Sequence, residues 1–131
     1  MYRITKPRTL HDTLVFEGDN ENLTIEFDLS PSQTLIKDIK QLQLKSIEID
    51  KCIKEKGLTD DLIKGKGECI IALMRLMFGD DNTQKILEFY SDNYIAMLEG
   101  ILPYMNNTLL PALQQYAKDS KKKAKRKYLK I

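Results

Sequence analysis

The sequence predicts an α+β fold, mostly helical, with an N-terminal β-hairpin followed by about four helices. Three observations carry this. Leu23 to Leu29 alternates apolar and polar residues strictly, as a strand with one buried face does. From Leu35 onward, apolar residues recur at steps of three and four. Helix-start and helix-stop residues punctuate that second region at several points.

Thr13–Glu17 forms the first strand and Leu23–Leu29 the second. Gly18-Asp19-Asn20-Glu21-Asn22 between them is a polar turn with Gly for unusual backbone angles. A lone hairpin is marginal in water, so Leu23, Ile25, Phe27 and Leu29 must pack on something.

Ser30-Pro31-Ser32 opens a first helix over about Pro31 to Lys56, with Leu35, Ile39, Leu42, Ile49 and Ile53 on one face. Gly57 ends it. Thr59-Asp60-Asp61 caps a second helix that reaches Phe78. Gly65 and Gly67 weaken its first turns, and either split it or allow a close helix approach. Gly79-Asp80-Asp81-Asn82 breaks the chain, and a short helix covers Thr83 to Tyr90. Ser91-Asp92 caps the last helix, which Pro103 and Pro111 should kink or break.

The 131 residues suit one domain over 1–117 with a basic extension over 118–131. From Lys118 to Ile131 eight Lys or Arg stand against one acid, a net +7; the first 117 residues hold 13 basic and 18 acidic residues, a net −5. Lys121, Lys122, Lys123, Lys125, Arg126 and Lys127 form the heart of the basic run. Like charges this close repel, so the segment should be solvated, as a frayed helix extension, with Lys stems free to cover an apolar neighbour.

Several chemistries find no support. His11 is the single histidine, and no nearby Ser or Cys marks a nucleophile. Cys52 and Cys69 have neither redox nor zinc spacing and suit small buried thiols in a reducing compartment. Ile63 to Glu68, "IKGKGE", lacks the spacing of a phosphate loop. The acidic turns lack the ligand pattern of a calcium loop. These readings predict a non-enzymatic protein with no cofactor and no metal. No apolar run approaches the roughly 18 residues that span a bilayer, and the first residues lack a signal-peptide core. The expectation is a cytoplasmic protein without membrane contact.

The aromatic and Met content between Met74 and Tyr116 exceeds what a chain this short hides easily. A homo-oligomer or a hydrophobic partner site follows as an expectation. Met74, Met77, Met97, Ile101 and Met105 are the candidate partner-binding residues, since Met repacks against varied surfaces.

One stretch is more specific. Phe78-Gly79-Asp80-Asp81, then Ile86-Leu87-Glu88-Phe89-Tyr90, then Asn93-Tyr94-Ile95-Ala96-Met97-Leu98-Glu99, then Leu110-Pro111 and a Lys-rich end closing on Tyr128, resembles the small tail assembly chaperones of long-tailed bacteriophages and prophages. The plan of hairpin, helices and basic end is similar over nearly the whole chain. The resemblance implies a chaperone of virion morphogenesis that binds and solubilises the tape measure protein, contacts other tail proteins, and self-associates in the bacterial cytoplasm. It also implies a longer frameshifted product, for which codons of Lys121-Lys122-Lys123 could supply a slippery run. Two alternatives stand beside it: a small nucleic-acid-binding phage protein using the basic end, and a structural tail completion subunit. The acidic body argues against nucleic acid.

Overall fold

In the computed structural model, residues 1–5, 9–91 and 93–129 are described. The hairpin comprises β1 (Leu10–Glu17) and β2 (Asn22–Leu29), paired antiparallel with Leu14 opposite Ile25 and Phe16 opposite Leu23. Its turn closes through the Gly18 N–H, which donates to the Glu21 carbonyl at 2.9 Å. Alternation sends Leu14, Phe16, Leu23, Ile25, Phe27 and Leu29 to one face, and that face packs on helices.

The helices are α1 (Gln33–Lys56), α2 (Asp60–Phe78), α3 (Asp80–Tyr90), α4 (Tyr94–Tyr104) and α5 (Leu110–Leu129). A π-helical turn over Met105–Leu109 joins α4 to α5, so the last part of the chain is one continuous helical run. The hairpin and these four rods match the predicted fold class.

Local chemistry sets the boundaries. Ser32 caps α1 by accepting from the Leu35 N–H at 3.1 Å, and Thr59 caps α2 by accepting from Leu62. Gly57 and Gly79 take φ of 83° and 88°, where a Cβ would be strained. Gly79 ends α2 and starts α3 at once. The Asp80-Asp81 pair therefore forms the first turn of α3, beside its positive dipole end, and α3 starts three residues before the expected Thr83. Ser91 is left-handed (φ 48°) and terminates α3, so it is not the cap of α4. Asn93 takes that role, accepting from the Ala96 N–H at 3.2 Å. The expected capping part of Asp92 lies outside the described residues.

Neither glycine splits α2. Lys66 between them donates to Ser46 at 2.6 Å and to both Asp50 carboxylate oxygens at 2.9 Å, tying α2 to α1. The prolines do not break the last helix either. Pro103 sits inside α4 and Pro111 in the first turn of α5. The wider turn between them lets the Leu110 N–H reach back to the Met105 carbonyl, so helical bonding resumes without a break.

The core lies between β2, α2, α3 and the α4–α5 run. Phe27 stands edge-on to Phe78 at 4.9 Å, and Tyr104 stacks near Phe78 at 6.5 Å. Phe16 meets Phe89 and Tyr90 at the far end of the hairpin. Asn82 donates to the Glu26 carbonyl at 2.8 Å and so satisfies a backbone group of β2 from α3. The Tyr104 hydroxyl donates to Asp12 at 2.5 Å, joining β1 to the end of α4.

Candidate partner-binding groove

Helix α1 is apolar on two sides. Leu35, Ile39, Leu42, Ile49 and Ile53 turn toward the body, as the three- and four-residue steps predict. A second line, Ile36, Leu44 and Ile47, falls about a third of a turn or more away on the helix. Leu44 is 63% exposed and Ile47 50%.

At its N-terminal half, α1 faces α5 across an open groove. One section, about 320 Å³, has Ile36, Ile39, Leu110 and Leu113 as its floor. The other, about 480 Å³, runs between Ile36 and Tyr116, Ala117, Ser120 and Ala124. Ala117, Ser120 and Ala124 on α5 are too small to fill the gap between the two helices. Lys37 and Lys40 line it from α1, and Lys118 and Lys121 from α5. No Asp or Glu is among the described lining residues. The α5 helix continues unbroken through Lys118, where the charge changes sign, and residues 121–127 are all exposed.

The five residues expected to bind a partner sit elsewhere. Met74 and Met97 are wholly buried, and Met77, Ile101 and Met105 are 1% exposed. They hold the core of this single chain and offer no surface in this conformation. The physical reason is that α2 is covered by α1, α3, α4 and β2, and that Met97 and Ile101 lie on the one face of α4 that turns inward. The basic residues Lys121, Lys122, Lys123, Lys125, Arg126 and Lys127 are exposed as expected, but only Lys121 lines the groove. Sequence reasoning missed Ile36, Leu44 and Ile47. Their signal was the recurrence at 36, 44 and 47, which the interleaved lysines masked.

A second apolar surface lies on α4. Ile95 is 59% exposed and Tyr94 41%. Tyr94 lines a hollow of about 250 Å³ with Ile63, Gly67 and Ile71 of α2, and Asp60, Lys64 and Glu68 supply charges of both signs.

Among the described residues the shifted titratable groups are His11, Asp12, Tyr90 and Tyr104, on the hairpin and the helices beside it. His11 pairs with Asp28 across the outer face of the hairpin at 2.6 Å, and that hydrogen bond, then the carboxylate charge, raises its pKa. Asp12 is held below the usual carboxylate range, chiefly by the Tyr104 hydroxyl and then by the Thr13 N–H. Burial, and then Asp12, push the Tyr104 hydroxyl far up, so it stays a donor. Among the described residues no cluster of three or more His, Cys, Asp or Glu could hold a metal ion. Cys69 is buried and Cys52 half-buried, both as free thiols. No described helix is long and apolar enough to cross a membrane. Comparison with protein-family models, curated proteins and solved structures finds no significant match.

Proposed function

We propose that this chain is a non-enzymatic tail assembly chaperone of a long-tailed phage or prophage, which holds the tape measure protein soluble during tail morphogenesis. The observation that carries the reading is the α1–α5 groove, continued along α1 by Leu44 and Ile47. An elongated apolar trough between two helices suits the apolar face of a third. The resemblance over Phe78 to Tyr128 supplies the identity of the partner. The exposed apolar residues of α4 support self-association as a second property of the same protein.

Co-expression with the candidate tape measure protein tests this. The wild-type chain should bring that partner into the soluble fraction. Leu44→Glu with Ile47→Glu should weaken capture by more than about tenfold, since two apolar contacts are lost. Both positions are exposed, so circular dichroism and the melting temperature of the variant should stay close to wild type. A partner equally soluble with or without the chain removes the chaperone reading.

The exposed basic turns of α5 favour one alternative, weak binding to nucleic acid. That binding should vanish near physiological salt in a gel-shift titration. Duplex binding that survives such salt, and is lost on deleting 121–131, makes nucleic acid the partner.

A further inference from the structure

The groove has a sign as well as a shape. Lys37, Lys40, Lys118 and Lys121 line it from both walls, over a floor of Ile36 and Leu113. None of the four enters an ion pair among the described residues; the described pairs are His11–Asp28, Lys66–Asp50 and Arg75–Asp80, all elsewhere. Four ammonium groups with no described ion-pair partner around an apolar strip discriminate by charge.

We infer that the groove takes an amphipathic helix whose apolar stripe is flanked by carboxylates. The inference rests on reading the groove as a helix-holding site. Ile36 to Ile47 on α1 spans about three helical turns, roughly 17 Å, which fixes the length of helix engaged. The occupant presents apolar residues at three- and four-residue spacing to Ile36, Leu113 and Ile47. Its Glu or Asp residues lie one step to either side and meet the lysines. A helix flanked by Lys or Arg would bring like charges together on both walls, which acts as a repulsive filter.

The test uses the full chain and two labelled synthetic peptides of about four turns with one shared Leu/Ile stripe. One has Glu at the flanking positions and the other Lys. Fluorescence anisotropy at low salt should show the Glu-flanked peptide binding at least about tenfold more tightly, with the difference shrinking as salt rises. Reversing the rim (Lys37→Glu, Lys40→Glu, Lys118→Glu, Lys121→Glu) should invert the preference. If that variant fails to fold, Lys40→Gln with Lys121→Gln should reduce the preference instead. Replacing Lys122, Lys123 and Lys127 by Gln, which line neither section of the groove, should preserve it.

Equal affinity for the two peptides, or binding of neither, overturns the inference. So does a preference abolished by the Lys122, Lys123 and Lys127 changes, which would reduce it to bulk charge. Self-association in sedimentation that the rim reversal disrupts while the Glu-flanked peptide fails to compete would make the occupant a second copy. A DNA duplex that displaces the bound Glu-flanked peptide at physiological salt would make it nucleic acid. Charge-selective peptide binding supports the inference even where co-expression leaves the tape measure protein insoluble, so the two readings fail separately.

Discussion

Met97 illustrates how the chain spends its flexible side chains. It is wholly buried against a core that includes Met74, Met77 and Met105, so its adaptability serves packing between unlike elements. Met97→Ala should destabilise the fold by about 2–5 kcal/mol in urea denaturation, the cost of an unfilled core site. Met97→Glu should leave little folded protein by circular dichroism, because no buried cation stands ready to pair with it. The hairpin carries the titrating contacts. His11 binds its proton more tightly in the folded state than its ordinary 6.5, so its contribution is complete below that value and fades as pH rises through the raised one. Asp12 behaves oppositely: its contribution holds above its ordinary 3.8 and fades as pH falls through the lowered value. Melting temperature against pH should therefore decline gently on the alkaline side of 6.5, and His11→Gln should remove that slope while leaving the acid limb.

Helices and strands were legible where one face is wet. The strict alternation of β2 and the spaced Leu and Ile of α1 located both elements, and Gly57 marked the end of α1 as expected. Gly79-Asp80-Asp81-Asn82 misled because its residue types serve turns and helix starts alike; only the backbone angle of Gly79 decides between them. Pro103 and Pro111 correctly marked a disturbed stretch, but not its form: the α-helical pattern gives way to a π turn between them and helical bonding then resumes. The exposed apolar positions were not legible for a related reason. A helix apolar around most of its circumference, such as α4, does not reveal which side its neighbours cover. The exposed line on α1 was readable in principle, yet lysines at 37, 40 and 51 made that side look solvated. Gly65 offers a direct test of helix energetics in α2. A methyl group there would sit 3.5 Å from Ile49, an ordinary contact, so Gly65→Ala should raise stability by about 0.5–1 kcal/mol in the same denaturation assay.

The assembled chain places two unlike surfaces on its helices: a trough between α1 and α5 lined by lysines, and the exposed apolar residues of α4 beside charges of both signs. The proposed client would take the first, and contact between copies would take the second. Light scattering at micromolar concentration should report species larger than a monomer, and Ile95→Glu should shift them toward monomer without changing the helical signal. Client capture should survive that change if the trough acts alone.

The Asp12–Tyr104 hydrogen bond closes a separation of 92 residues and joins the hairpin to the far end of α4. During synthesis the hairpin leaves the ribosome long before Tyr104 does. Its sticky inner face, Ile25, Phe27 and Leu29, must wait through the translation of three helices for its final cover. Helices close short loops quickly, whereas this clasp joins residues 92 apart in the chain and carries the larger loop-closure entropy of a long-range contact.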